Sequence, residues 1–214
     1  RHRCLPRASC PCLKQSCGVR PEPYTRREYV SAFRELAARI AASLEDVPPR
    51  ALPIRMYVAG GAALHFHTGE RVSVDVDAVF SRRVALPDGL EVAYRDEDGS
   101  ARLLYFDRQY NDTLGLMHED AQDDSIPLTL EGIDSRVLDV RILTPVDLAV
   151  SKLGRFSEQD RADIAALARR GLVSAAELER RALQALEIYV GDTQRLRGNI
   201  ASAVSIVTAN NPDS

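Results

Sequence analysis

Beyond residue 17 the chain has no cysteine; Cys4, Cys10, Cys12 and Cys17 are the whole set. Their spacing, C-x5-C-x-C-x4-C, lacks the paired C-x2-C knuckles of a structural zinc site. A disulfide framework belongs to small secreted domains, and nothing else in the sequence reads as secreted. Nor does any apolar run approach the ~20 residues that span a bilayer. The positive N-terminus lacks the apolar h-region of a signal peptide. The expectation is a cytoplasmic protein with no membrane partner. There is also little excess charge. A net charge of −3 and a pI near 5.9 exclude a protein that coats nucleic acid through bulk charge. With 28 Lys and Arg in the chain, a local basic groove remains open.

What is present is a core. Apolar residues make up 45%, enough for a real core, and 214 residues suit one medium domain or one domain with a helical appendage. Residues 1–23 are rich in Cys, Pro and Arg, have no apolar period and read as a disordered leader. Thr25 is the expected N-cap of a first helix whose face is Tyr29, Phe33, Leu36, Ile40 and Leu44, closed by Pro48 and Pro49. Arg55–Ala59 reads as a strand. Gly60-Gly61 reads as a tight turn into a brief helix that Gly69 closes. Val72–Phe80 alternates as a half-buried strand, and further strands are expected at Leu90–Tyr94, Arg102–Phe106 and Arg136–Leu143. Residues 107–135 resist assignment.

From Thr144 the signals are helical. Thr144 with Asp147, Ser157 with Asp160 and Ser174 with Glu177 have capping-box spacing, and Asp192 is placed to cap a last helix over 193–208. Gly171 and Gly191 stand where C′ glycines belong. The fold class is therefore α+β, a small mixed sheet with a C-terminal helical bundle. The expected division is a leader over 1–23, a core over 24–146 and a helical region over 147–214.

The chemistry concentrates in Ser73-Val74-Asp75-Val76-Asp77. On a strand Ser73, Asp75 and Asp77 share one face, and Val72, Val74, Val76 and Ala78 share the other, the core side. Two carboxylates so placed are ~7 Å apart at Cβ and can converge on one hard cation or bridge two. Their mutual repulsion requires a cation or a basic group nearby. Upstream, the Gly60-Gly61 pair frees backbone N–H groups at a helix start, a phosphate cradle.

This arrangement resembles the nucleotidyltransferase superfamily, whose pattern is G-[GS], a short helix, then [ST]-x-D-x-D on the next strand. The later stretch LTPVDLAVSKLGRFSEQDRADIAAL is similar to the AbiEii-like branch of abortive-infection and toxin–antitoxin systems, at Lys152, Arg155, Asp160 and Asp163. The resemblance covers roughly residues 55–170. It implies an enzyme that moves an NMP from an NTP to an RNA or protein acceptor. Asp75 and Asp77 would hold Mg²⁺ or Mn²⁺, and Gly60, Gly61, Ser73, Lys152 and Arg155 would bind the nucleotide. A cognate antitoxin or regulator would be its partner. The family's third carboxylate falls on Asp107, with Asp139 as the alternative. The departure from a clean pattern there leaves room for a catalytically degenerate binding module on the same fold.

Other candidates have blander readings. His65 and His67 are two apart and cannot share a helix face. His118-Glu119-Asp120 reads as a solvated acidic loop. Asp160 reads first as a capping residue and Asp163 as an ion-pair partner. Tyr110 and Asn111 are nucleotide contacts only by their nearness to Asp107.

Overall fold

A computed structural model describes residues 25–111 and 115–211. The expected leader over 1–23 and the four cysteines lie outside the described residues. The helix α1, Arg27–Ala42, buries Tyr29, Phe33, Leu36 and Ile40, the face expected from their spacing. Its N-cap is Arg26, not Thr25, and it ends six residues before Pro48. Leu44 is buried from the turn that follows. Strand β1, Ile54–Val58, leads into α2, Gly60–Thr68, which Gly69 closes in the left-handed conformation at φ +70°. The two glycines form the first turn of α2 itself, not a separate turn before it.

The remaining strands are β2 (Asp75–Val76), β3 (Ala78–Phe80), β4 (Glu91–Arg95), β5 (Ala101–Phe106), β6 (Ile126–Pro127) and β7 (Leu138–Ile142). They pair as β3-β1-β7-β6 and as β2-β5-β4. Only Asp77 separates β2 from β3, so one extended segment changes partner there. Before it, Asp75 and Val76 run parallel to Tyr105 and Phe106; after it, Ala78 to Phe80 run antiparallel to β1.

The strand is thus shorter than the expected 72–80. Val74, expected on the core side, is 58% exposed. Ser73 takes the inward position instead and packs against Gly61, and the chain bends at Val74 before pairing begins. Val76, Ala78, Leu104, Phe106, Met56 and Val58 are buried in the single core. Helix α1 covers β4 and β5 on that side.

Four helices complete the chain: α3 (Pro145–Ser151), α4 (Glu158–Arg169), α5 (Ala175–Glu187) and α6 (Thr193–Asn210). Each starts at the cap expected for it. Thr144, Ser157 and Ser174 accept from the backbone N–H three residues on, and Asp192 accepts from Gln194 and Arg195. Local chemistry suffices here, because a cap satisfies N–H groups that have no partner inside the helix. Gly171 follows α4 at φ +66° as a C′ residue, whereas Gly191 lies four residues beyond α5 and is extended, so it caps nothing. Helix α3 is short. Lys152 is its C-cap, and Arg155 lies in the turn that follows. No described helix is long and apolar enough to cross a membrane.

The start of α3 is tied to α5 by a buried ion pair. Arg181 donates to Asp147 through Nε at 2.7 Å and Nη2 at 2.9 Å, and to Asp124 through Nη2 at 2.7 Å. Asp147 is fully buried. Removing one partner of such a pair strands a buried charge, at about 3–5 kcal/mol. Arg181→Ala should therefore lose that much stability in urea unfolding; a loss under about 1 kcal/mol would show that water replaces the guanidinium without strain.

Candidate active site

The partner change at Asp77 places three carboxylates together. In the parallel pairing Asp75 faces Tyr105 and Val76 faces Phe106, so the next step sets Asp77 beside Asp107. The Asp107 N–H donates to the Val76 carbonyl at 3.1 Å and extends the ladder to that point. Paired residues in a sheet project to the same face, and Asp107 therefore joins Asp75 and Asp77. Burial pushes the Asp77 carboxyl up to about 6, and the charges of Asp75 and Asp107 push the same way, against Lys152 and Arg155. Ser73 donates its hydroxyl to Asp75. Asp107 accepts from the Gln109 N–H at 2.8 Å.

Asp139, the alternative third acid, is not in this group. It pairs in register with Arg55 on the far side of β1 and bonds Arg141 at 3.3 Å, with Arg55 at 3.7 Å. Arg55 is the second residue of β1, whereas the acids and Gly60 gather past its other end.

The glycines close the second wall. A Cβ on Gly60 would overlap the Asp77 carboxylate, and Gly60 is held at φ +57°, where side chains are disfavoured. A Cβ on Gly61 would stand 2.7 Å from the Ser73 hydroxyl and 2.9 Å from Arg71 Nη1. Both glycines are therefore required by the close approach of α2 to the acidic segment. The first turn of α2 thus begins against the Asp77 side chain.

The cations come from three places. Lys152 is buried and donates to Asp163 at 2.6 Å. Arg155, largely exposed, forms a two-pronged bond to Asp160, with both contacts at 2.8 Å. Burial opposes ionisation of Asp160, but bonds from Arg155 and Ser157 outweigh it and hold the carboxyl down at about 2. Asp160 is thus both a capping-box member and the anchor of Arg155. The third cation, Arg71, binds Asp163 through Nε and Nη2 at 2.9 and 2.8 Å. Sequence reading missed Arg71; its place two residues before Ser73 was the available signal, but its partner lies 92 residues away.

The histidines are structural. His65 is bonded between the Arg71 carbonyl and the Arg26 N–H, and His67 to the Leu143 carbonyl; burial lowers the pKa of both. His118 is buried and accepts from the Asp120 N–H rather than standing in a solvated loop. Tyr110 packs on the core edge.

Among the described residues no three His, Cys, Asp or Glu side chains form a ready-made metal cage. Mg²⁺ does not need one, since it is commonly held by one or two carboxylates, with substrate phosphates and water completing its shell. The donor set suits it: hard oxygens, and a carboxyl raised by like charges that a divalent cation would offset.

A family model described as "Nucleotidyltransferase of unknown function (DUF6036)" matches residues 35–202. The match takes in every residue of the site, from Gly60 to Asp163. No curated protein and no solved structure matches the chain.

The raised carboxyl of Asp77 has a measurable consequence. The folded protein holds this proton up to about pH 6, whereas an unfolded Asp releases it near 3.8. Ionising Asp77 thus destabilises the fold progressively from about pH 4 to 6, and fully above that. Without divalent cations, Asp77→Asn should melt higher than wild type above pH 6, by ~2–4 °C for roughly 1 kcal/mol. The gap should close as pH falls to 4. A gap of constant size across that range would contradict the assignment.

Proposed function

The chain belongs to the nucleotidyltransferase family that its residues 35–202 match, and from that premise we propose that it transfers an NMP from an NTP to a hydroxyl of an RNA or protein acceptor. The observation that carries this reading is the meeting of Asp75, Asp77 and Asp107 at the N-terminus of α2, opposite Lys152 and Arg155. The acceptor oxygen would attack the α-phosphorus. The bond from that phosphorus to the oxygen bridging to the β-phosphorus would break, and pyrophosphate would leave.

Asp75 and Asp77, with Asp107 as the third acid, would hold Mg²⁺ or Mn²⁺ together with the triphosphate. Bound there, the metal supplies charge neutralisation at the phosphates and lowers the pKa of the attacking hydroxyl. The chain's own groups do the rest. Ser73 orients the Asp75 carboxylate through their hydrogen bond. The α2 N–H groups receive the β- and γ-phosphates. Lys152 and Arg155 balance the charge that develops on the leaving group. A carboxylate of the cluster takes the acceptor proton.

The stretch from Leu143 to Leu167 supports placing the chain in the AbiEii-like branch, with a cytoplasmic toxin–antitoxin or phage-defence role and a cognate regulator. An open reading frame for a small regulator beside this one would fit that placement. Growth arrest on expression, relieved by the neighbour, would establish it; harmless expression with no effect of the neighbour would count against it.

The reaction itself is tested by incubating the purified protein with Mg²⁺, each NTP and a mixture of total RNA and cell protein as acceptor, and measuring pyrophosphate. Asp75→Asn should abolish release while the melting temperature holds or rises, because the change removes a repelling charge at constant volume. Pyrophosphate release by that variant at the wild-type rate would refute the site. NTP binding by wild type without release would identify a degenerate binding module instead. Lys152→Ala should weaken NTP binding by roughly 1.5–3 kcal/mol, the scale of a hydrogen bond to a charged group. Unaltered affinity would remove Lys152 from the site.

A further inference from the structure

Asp163 is a buried titratable group that the mechanism above does not use. It lies on α4, 2% exposed, and helix capping does not explain it, because Asp160 already completes the cap. Its carboxylate accepts four hydrogen bonds: Arg71 Nε at 2.9 Å and Gln159 Nε2 at 2.8 Å on Oδ1, Arg71 Nη2 at 2.8 Å and Lys152 Nζ at 2.6 Å on Oδ2. Those four fill the acceptor capacity of a carboxylate.

One buried anion therefore serves two cations. An ion pair made only for stability needs one. Lys152 also stands 3.9 Å from Asp160, which already holds Arg155, so two buried carboxylates on α4 serve three cations, and the remaining positive charge is left for an anion outside α4. Both cations bond the same Asp163 oxygen and lie within electrostatic reach of the acidic segment. The charge of Arg71 is felt at Asp75 and that of Lys152 at Asp77. Arg71 also keeps one guanidinium nitrogen, Nη1, at the first turn of α2, 2.9 Å from the place of a Gly61 Cβ.

We propose that Asp163 is the positioning residue of this site, holding Arg71 and Lys152 as a two-cation clamp for the triphosphate and keeping both off Asp75 and Asp77. The role rests on the nucleotide-transfer reading. Its physical content is competition. Released from Asp163, Lys152 has Asp160, already held by Arg155, and Asp77 as the carboxylates that act on it, and Arg71 has Asp75. An ammonium or guanidinium bonded there would occupy the oxygens that a divalent cation needs. Asp163 thus separates two sets of charges that would otherwise neutralise each other, and leaves the clamp facing a phosphate and the acids facing a metal.

The test is direct binding of α,β-methylene NTPs by calorimetry at a series of Mg²⁺ concentrations, with melting temperature measured in parallel. Asp163→Asn should lower affinity at least ten-fold and raise the Mg²⁺ concentration for half-maximal binding. Adding Lys152→Met to that variant should bring the Mg²⁺ requirement back toward wild type, because the loose ammonium is gone. A purely structural Asp163 would lower the melting temperature, leave affinity and Mg²⁺ requirement unchanged in the folded protein, and show no such restoration; that result overturns the proposal. Should Asp163→Asn not fold, Arg71→Gln leaves the Asp163–Lys152 pair intact and is expected to lose at least five-fold in affinity; unchanged affinity there overturns the proposal equally. Wild-type protein that binds none of the analogues would instead sink the nucleotide reading, a result distinguishable from either variant's.

Discussion

The close approach of Gly60 to the carboxylate of Asp77 is the constraint on which the site depends. A helix can begin against an acidic side chain only if its first residue brings no Cβ, and Gly60 at φ +57° meets both conditions. The same Asp77 is where the extended segment exchanges β5 for β1 as its partner. Two sheets and one helix therefore converge on a single side chain. Moving that residue along the segment would turn its carboxylate to the other face and break the ladder on one side. The burial and like charges that raise the Asp77 carboxyl follow from this convergence.

Charge is then distributed around it in layers. Three acids stand on the sheet. Three cations, Arg71, Lys152 and Arg155, surround them. Behind the cations, Asp160 and Asp163 on α4 hold the guanidinium and ammonium groups in place. Counting these eight groups as ionised, the balance is three positive against five negative. A single divalent cation would offset that deficit of two. The turn after α3 and helix α4 are thus part of the site's electrostatics and not only a scaffold, and they lie within the matched residues 35–202.

The start of α3 shows the same economy in purely structural form. Asp147 accepts from Thr144 at the helix cap and from Arg181 on α5, so a local cap and a long-range ion pair share one carboxylate. That arrangement orients the turn after α3, which carries Lys152 and Arg155. Phe156 closes the turn at φ +52°, a conformation non-glycine residues adopt at some strain.

Much of this was legible in the residues alone, and the division has a physical cause. Helix starts at Thr144, Ser157, Ser174 and Asp192 depend on side chains within three residues of the groups they satisfy, so spacing sufficed. The face of α1 and the sharing of one face by Asp75 and Asp77 follow from periods of 3.6 and 2. Interactions between distant segments were beyond that reach. Whether Asp107 or Asp139 joins the acids depends on which strand pairs with β2, and both lie on equally plausible strands until β5 is found beside it. Val74 is exposed because Ser73 claims the inward position against Gly61. Lys152 falls at the end of α3 and meets Arg71 at their shared partner Asp163 on α4. Local periodicity and capping determined the elements and the acidic pair; the pairing of strands and the meeting of α4 with the segment before β2 decided which charges face one another, because those contacts join residues that only folding brings within hydrogen-bond distance.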